Sequence, residues 1–327
     1  MKMKKNILPF IVFFALLIVF PFNLLCPFAE SVSKSSTYNE KIIPTGYIEK
    51  DVVRLVLMRA VVYDKKGRII TNLQKEDFRV YEDHFQQKIS HFDMEWSEPV
   101  SMAFLLDVSG SMRLLNRIEE AKMAIKYFVT AFRKQDRFAL LIFADSHAEI
   151  VQDFTEDKEQ FLSVLEPIYA YGQTALNDAI AIAPNIVDQH AQGKKAIVLI
   201  SDGNDNFSQL NIEDALRIAN EFDVPIYVIA FADLPKKMLE KEEALPIKME
   251  TLSKAAEETG GLLFRVEDPI ELKEAISQIE HELRHQYIIG YSPRRVIWDG
   301  AWRKLKLETS RENVSIRTRK GYYAKSE

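Results

Sequence analysis

The stretch AFLLDVSGSM, Ala103 to Met112, decides how the rest of the chain is read. An apolar run ends on Asp107, and Ser109 and Ser111 follow at every second position. A carboxylate and two hydroxyls at the end of a strand lie where open α/β sheets bind ligands, outside the carboxyl edge. Working outward, the same rhythm recurs. FALLIFAD (138–145), KAIVLISD (195–202), VPIYVIAFAD (224–233) and LLFRVE (262–267) are short apolar runs. Between them lie the helical stretches NRIEEAKMAIKYFVTAF (116–132), TALNDAIAIAPNIVDQH (174–190), NIEDALRIANEF (211–222) and METLSKAAEETGG (249–261), and PIELKEAISQIEHEL (269–283) closes the series. Strands apolar on both faces belong inside a sheet covered by helices on both sides. The alternation predicts an α/β domain over residues 99–285, with a doubly wound, mainly parallel sheet. Pro184 inside one stretch is expected to kink that helix or mark its first turn.

Both flanks read as β. In the N-terminal region, 47–98, Val52 to Tyr63 is rich in Val, Leu and Met, DKKGR (64–68) is a turn, and FRVYED (78–83) and QQKISHFDM (86–94) suggest two more strands. In the C-terminal region, 286–327, Leu305 and Leu307 alternate with Lys304, Lys306 and Glu308, and Val314, Ile316 and Thr318 with Ser315, Arg317 and Arg319. That period of two marks half-buried strands. Roughly seven flank strands come close to the content of one β-sandwich. The favoured arrangement is a shared sandwich with the α/β domain inserted between its halves; the alternative is a separate small sheet from each flank. PKKMLEKEEALP (235–246) reads as a solvated, charge-rich insertion.

The chain has 327 residues, 47% hydrophobic and 28% charged, with a formal charge of −5. No basic domain stands out, which argues against a nucleic-acid partner. Lys2, Lys4 and Lys5 precede the apolar run Ile7 to Leu25, and Cys26 and Ala29 offer a small-residue exit. Residues 1–29 therefore read as a secretory signal, also long enough to stay in the membrane as an anchor. The serine-rich stretch 30–46 reads as a flexible linker. The expected location is outside the cytoplasmic membrane. Cys26 is the single cysteine, so no disulfide framework is available.

Four chemistries compete for the opening stretch. A serine nucleophile on such a sheet wants G-x-S-x-G, and DVSGSM lacks the first glycine. A phosphate cradle wants more glycines than Gly110. An aspartyl phosphotransferase wants a second carboxylate where Ser109 stands. A hard divalent ion, Mg²⁺ or Mn²⁺, fits best, because it takes oxygen ligands in octahedral geometry. Thr174, before one helix, and Asp202, ending the next apolar strand, extend the oxygen set from neighbouring loops.

These residues carry a family resemblance. D-x-S-x-S at Asp107, Ser109 and Ser111, then Thr174, then Asp202 in Ser201-Asp202-Gly203, resembles the metal-ion-dependent adhesion site of a von Willebrand factor type A domain. The resemblance spans roughly Pro99 to Leu283. It implies direct ligation by Ser109, Ser111 and Thr174, with Asp107 and Asp202 acting directly or through water. The remaining position would fall to a partner's Asp or Glu, or to water. Gly172-Gln173-Thr174 departs from the usual Gly-Gly-Thr at a non-ligand position. NLQKEDFRVYED (72–83), YIIGYSP (287–293) and RKGYYA (319–324) resemble a bacterial group of exported von Willebrand A-related proteins, which usually has glycine at the position of His84. The expected function is metal-dependent protein binding without catalysis.

One motif points elsewhere. HELRH, His281 to His285, matches the zinc-peptidase pattern of two histidine ligands and a glutamate base. On a helix, however, Leu272, Ile276, Ile279 and Leu283 form the apolar stripe and His281 and His285 fall opposite it, toward solvent. A metal-free scaffold that binds through the sandwich is the other rival. Asp145 is expected either to face the metal or to cap a loop, His147 and Asp205 to be solvated loop residues, and Tyr322 and Tyr323 to pack on the sandwich.

Overall fold

The computed structural model describes residues 55–94, 97–145, 147–231, 246–294 and 297–324. The expected signal segment and linker, the first residues of the N-terminal β region and nearly all of the 235–246 insertion lie outside the described residues. Of the two compact units, Met1–Val52 and Val53–Glu327, the described residues belong to the second.

The N-terminal flank supplies β1 (Val56–Asp64), β2 (Phe78–Glu82), β3 (Phe85–Gln87) and β4 (Ile89–Asp93). The central region follows with β5 (Val100–Asp107), α1 (Arg117–Ala131), β6 (Arg137–Ala144), β7 (His147–Thr155), α2 (Lys158–Leu165) and α3 (Leu176–His190). It continues through β8 (Lys194–Ser201), α4 (Ile212–Ala219), β9 (Ile226–Phe231), α5 (Pro246–Thr259), β10 (Leu263–Val266) and α6 (Pro269–Arg284). The C-terminal flank adds β11 (Tyr287–Tyr291), β12 (Trp302–Thr309), β13 (Val314–Arg317) and β14 (Gly321–Tyr323).

The central sheet runs β10-β9-β8-β5-β6-β7, parallel except for β7. Its apolar strands bury both faces. Met102, Phe104 and Leu106 of β5 pack with α1, α2 and α6, whereas Ala103 and Leu105 pack with α3, α4 and α5. Neighbours Phe104, Phe128, Phe138 and Phe161 have ring centroids 5.4–6.3 Å apart, filling the first layer with aromatic bulk. Because β5 lies between β6 and β8, the strand order reverses beside it, and the crevice there is the place where such sheets bind ligands. The antiparallel edge strand β7 was not anticipated, since HAEIVQDFT alternates too weakly to read as a strand. α3 continues through the buried Pro184.

The two flanks interleave. β1 pairs with β11 and β13, β11 with β4, and β12 with β2 and β14, all antiparallel. The resulting four-stranded sheets, β13-β1-β11-β4 and β14-β12-β2-β3, share one core around Met58, Val62, Val80, Ile289 and Leu305. Instead of one strand, residues 86–94 form two, breaking at Lys88: β3 completes a hairpin with β2, and β4 crosses to the other sheet to pair with β11. The hairpin turn Asp83-His84 has φ of 46° and 72° at its two residues, as a type I′ turn demands. His84 holds that conformation where glycine would be easier. Tyr322 packs inside the sandwich, its hydroxyl donating to the buried Glu82 at 2.9 Å, beside Tyr291 at 2.5 Å.

Entry to and exit from the central domain are clamped together. Asp136 is fully buried; Oδ1 accepts from Val100 N–H at 2.9 Å and Arg284 Nη1 at 3.0 Å, and Oδ2 from Arg133 N–H at 2.7 Å and from Arg284 Nη2. Lys194 adds Nζ contacts to the carbonyls of Leu283 and Arg284 at 3.3 and 3.5 Å. Removing one member of a buried, hydrogen-bonded ion pair strands the other charge. Asp136→Ala is therefore expected to lower stability by about 3–5 kcal/mol, measured as a shift of the urea unfolding midpoint; a loss under about 1 kcal/mol would mean that the clamp is redundant.

Candidate metal-binding site

Three loops meet over the β5–β8 crevice. The first leaves β5 at Asp107, whose carboxylate is fully buried and turns the chain by accepting from Ser109 N–H at 2.9 Å through Oδ1. Its Oδ2 accepts from the Ser201 hydroxyl at 2.7 Å. Ser109 Oγ and Ser111 Oγ stand 3.0 Å apart. The second loop is stitched to the first by Tyr171 N–H to Val108 O at 2.6 Å and Gly110 N–H to Gly172 O at 3.0 Å. The third loop is stitched to the second: Thr174 N–H donates to Asn206 Oδ1 at 2.9 Å, and Asn206 and Phe207 N–H return to Thr174 O at 3.1 and 3.0 Å.

These contacts bring Asp107, Ser109 and Ser111 into one cluster. Thr174 is buried on the second loop, fixed by its backbone, and Asp202 lies just past the end of the neighbouring strand. Desolvation pushes the Asp107 pKa up to about 6; its hydrogen bonds to Ser109 and Ser201 oppose the rise and the nearby charge of Asp202 adds to it. Asp202 meets a different environment. Its Oδ2 accepts from Arg117 Nη1 at 2.9 Å and its Oδ1 from Asn204 N–H at 3.0 Å.

Arg117 and Ser201 were missed by sequence reasoning. A cation opening a helix runs against the macrodipole and signals a compensating anion; that signal was present in NRIEEAK. Asp145 takes the loop-capping role of its two alternatives: its Oδ1 accepts from Gln173 N–H at 2.9 Å. Asp205 is more than a solvated loop residue, accepting from Asn177 N–H at 2.9 Å and from the Ser208 hydroxyl at 2.7 Å through Oδ2. The fit to a hard divalent ion is good in donor chemistry. Two hydroxyls in contact lie beside a buried carboxylate that accepts from the neutral Ser109 N–H and Ser201 hydroxyl.

The HELRH helix end is built for another purpose. Glu282 is fully buried and ion-paired with Arg317 of β13, with Oε1 to Nη1 at 3.4 Å and a closer Oε2 to Nη2 contact. Arg317 also lies over the rings of Tyr63 and Tyr227, at 5.5 and 5.8 Å. A glutamate so held joins the sandwich to the α/β domain and has no freedom to act as a general base. His281 is exposed, and the two histidine rings lie 4.2 Å apart. Among the described residues no three or more His, Cys, Asp or Glu side chains gather as a metal set. The buried positions of Glu282 and Arg284 correct the view of this helix as apolar on one side and solvated on the other.

Comparison with known proteins gives a consistent picture. Residues 102–204 match the model of the von Willebrand factor type A domain. An uncharacterized protein of Borreliella burgdorferi is 28% identical over 55% of this chain and 58% of its own length. A UPF0353 protein of Mycobacterium avium is 25% identical over 57% of this chain and 61% of its own. The aligned region thus spans about three-fifths of these curated relatives. Among solved structures, a von Willebrand factor type A protein from Catenulispora acidiphila aligns with a TM-score of 0.48 and 12% identity, covering 80% of this chain and 71% of that one.

Two outcomes check the geometry. Glu282→Ala should cost about 3–5 kcal/mol in urea unfolding, whereas His281→Ala/His285→Ala should stay within about 0.5 kcal/mol of the parent; equal losses would contradict the assignment. Gly172 has a φ of 71°, and a Cβ there would come within 2.6 Å of the Asp145 carboxylate. Gly172→Ala is accordingly expected to cost roughly 1–3 kcal/mol and to raise amide exchange across residues 171–174; unchanged exchange would refute the tight loop junction.

Proposed function

We propose that this chain, whose residues 102–204 match the von Willebrand factor type A domain, is a protein-binding module whose contact point is a divalent ion, Mg²⁺ or Mn²⁺, held by Asp107, Ser109, Ser111, Thr174 and Asp202. The observation that carries this reading is the Ser109–Ser111 hydroxyl pair, 3.0 Å apart, beside the buried carboxylate of Asp107. When bound, the ion supplies a positive centre for an Asp or Glu of the partner. The chain's own residues do the rest. Asp107 fixes the turn that aims the serines, Asn206 and Asp145 hold the second loop, and the backbone ties keep all three loops in register. Leu114, Tyr169, Tyr171 and Phe207 are exposed on these same loops and offer apolar contact area around the charge. The reading is one of binding, with the two serine hydroxyls set against one another beside the Asp107 carboxylate.

The proposed location is outside the cytoplasmic membrane, reached through the apolar N-terminal segment, which is either removed or kept as an anchor. Among the described residues no helix is long and apolar enough to cross a membrane.

Thermal melting of the full chain in mild detergent tests the metal. A ligand at ~100 times its dissociation constant stabilises by ~2.7 kcal/mol, a shift of several degrees. Mg²⁺ or Mn²⁺ should raise the midpoint of the parent and not of Ser109→Ala/Ser111→Ala. No response to either ion, or an equal response in the serine variant, would remove the metal from this reading.

A further inference from the structure

α1 begins on Arg117, where the helix macrodipole disfavours a cation. The guanidinium is nevertheless buried, 5% exposed, with Nη1 2.9 Å from Asp202 Oδ2. The second carboxylate oxygen takes the Asn204 N–H at 3.0 Å. The two carboxylates of the candidate set are therefore unequal. Asp107 is met by a backbone N–H and serine hydroxyls, all neutral, whereas Asp202 is met by a full positive charge.

Resting on the reading that these oxygens hold a divalent ion, we propose that Arg117 neutralises Asp202 and thereby sets the strength of the metal site. The loops then present a divalent ion with about one net negative charge instead of two. Ligand charge count is a main determinant of such affinities, so this chain holds its ion weakly and leaves it with net positive charge. That residual charge faces outward and is completed by an acidic side chain from a partner. Arg117 is a positioning residue in this scheme. It touches neither ion nor partner and acts through Asp202. The pair also lets the apo protein tolerate two neighbouring buried carboxylates, since only one of them carries an uncompensated charge.

The test is Mn²⁺ binding by the full chain, read from the electron paramagnetic resonance signal of free Mn²⁺, together with melting in the presence and absence of the ion. Arg117→Met removes the positive charge and keeps most of the apolar stem. Asp202→Asn removes the negative one, and the double variant restores the sum. The expected order is roughly tenfold tighter binding for Arg117→Met, roughly tenfold weaker for Asp202→Asn, and the double variant within about threefold of the parent. Arg117→Met should also melt lower without metal, because Asp202 is stranded, and should regain that loss with Mn²⁺. Arg117→Lys preserves the charge and should bind within a few-fold of the parent, which guards against a misfolded methionine variant.

Arg117→Met binding no tighter than the parent, or a double variant as weak as Asp202→Asn, overturns the proposal. If Ser109→Ala/Ser111→Ala binds Mn²⁺ as the parent does, the ion lies elsewhere and both readings fall. Absence of binding in every variant also overturns both. Binding by Arg117→Met alone supports the charge-setting role while removing the metal from the parent protein's function.

Discussion

The whole arrangement depends on holding two chain crossings together. β4 and β11 are hydrogen-bonded neighbours in the sandwich, yet the whole α/β domain is spliced between them. The splice closes because Asp136, at the start of β6's approach, accepts from Val100 at the entry and from Arg284 at the exit. Both side chains are essentially removed from water, so the pair is strong only because its geometry satisfies the carboxylate on both oxygens. Arg317 and Glu282 repeat the device one strand further along, and Arg59 and Arg319 both reach Asp223. Arginines therefore dominate the junction, and Arg284 and Arg317 each meet a carboxylate through two nitrogens, as suits a planar donor fork.

The candidate site inherits its order from this frame. The first and third loops leave β5 and β8, strands that the sheet fixes from both sides, and the second, between α2 and α3, is tied to both of them. Backbone ties between the loops, with the side chains of Asp107, Asp145 and Asn206, hold the loops to one another. The unequal treatment of Asp107 and Asp202 is then a property of α1 as much as of the loops, since Arg117 arrives on the first turn of that helix.

Much of this was legible in the sequence. Runs such as AFLLD and KAIVLIS are apolar at every position, and only the interior of a covered sheet accommodates that. Leu305 and Leu307 alternate with lysines and lie inward as the pattern requires. Asp107 and Asp202 could be picked out because strand ends are readable, and the ends of the paired strands β5 and β8 lie at one edge. The charges were harder. Arg117, Asp136, Glu282, Arg284 and Arg317 look like ordinary surface residues along the chain, and their burial follows from partners 35 to 148 positions away. Periodicity reports which face is apolar; it carries no information about a charge neutralised by a distant one. The break at Lys88 was hidden for a like reason, since β3 pairs with its neighbour β2 while β4 pairs with β11, far along the chain.

The interleaving of the flanks also fixes an order of events during synthesis. β1 lies between β11 and β13, and neither exists until the α/β domain has been made. Roughly 220 residues separate β1 from β11, or about 10–45 s at ~5–20 residues per second. Throughout that interval β1, β2 and β4 lack their strand partners β11, β12 and β13, while the two apolar cores of the central domain are built from that domain's own residues. The sandwich is thus the late-closing part of the molecule and the one whose nascent strands most need protection from pairing with other chains.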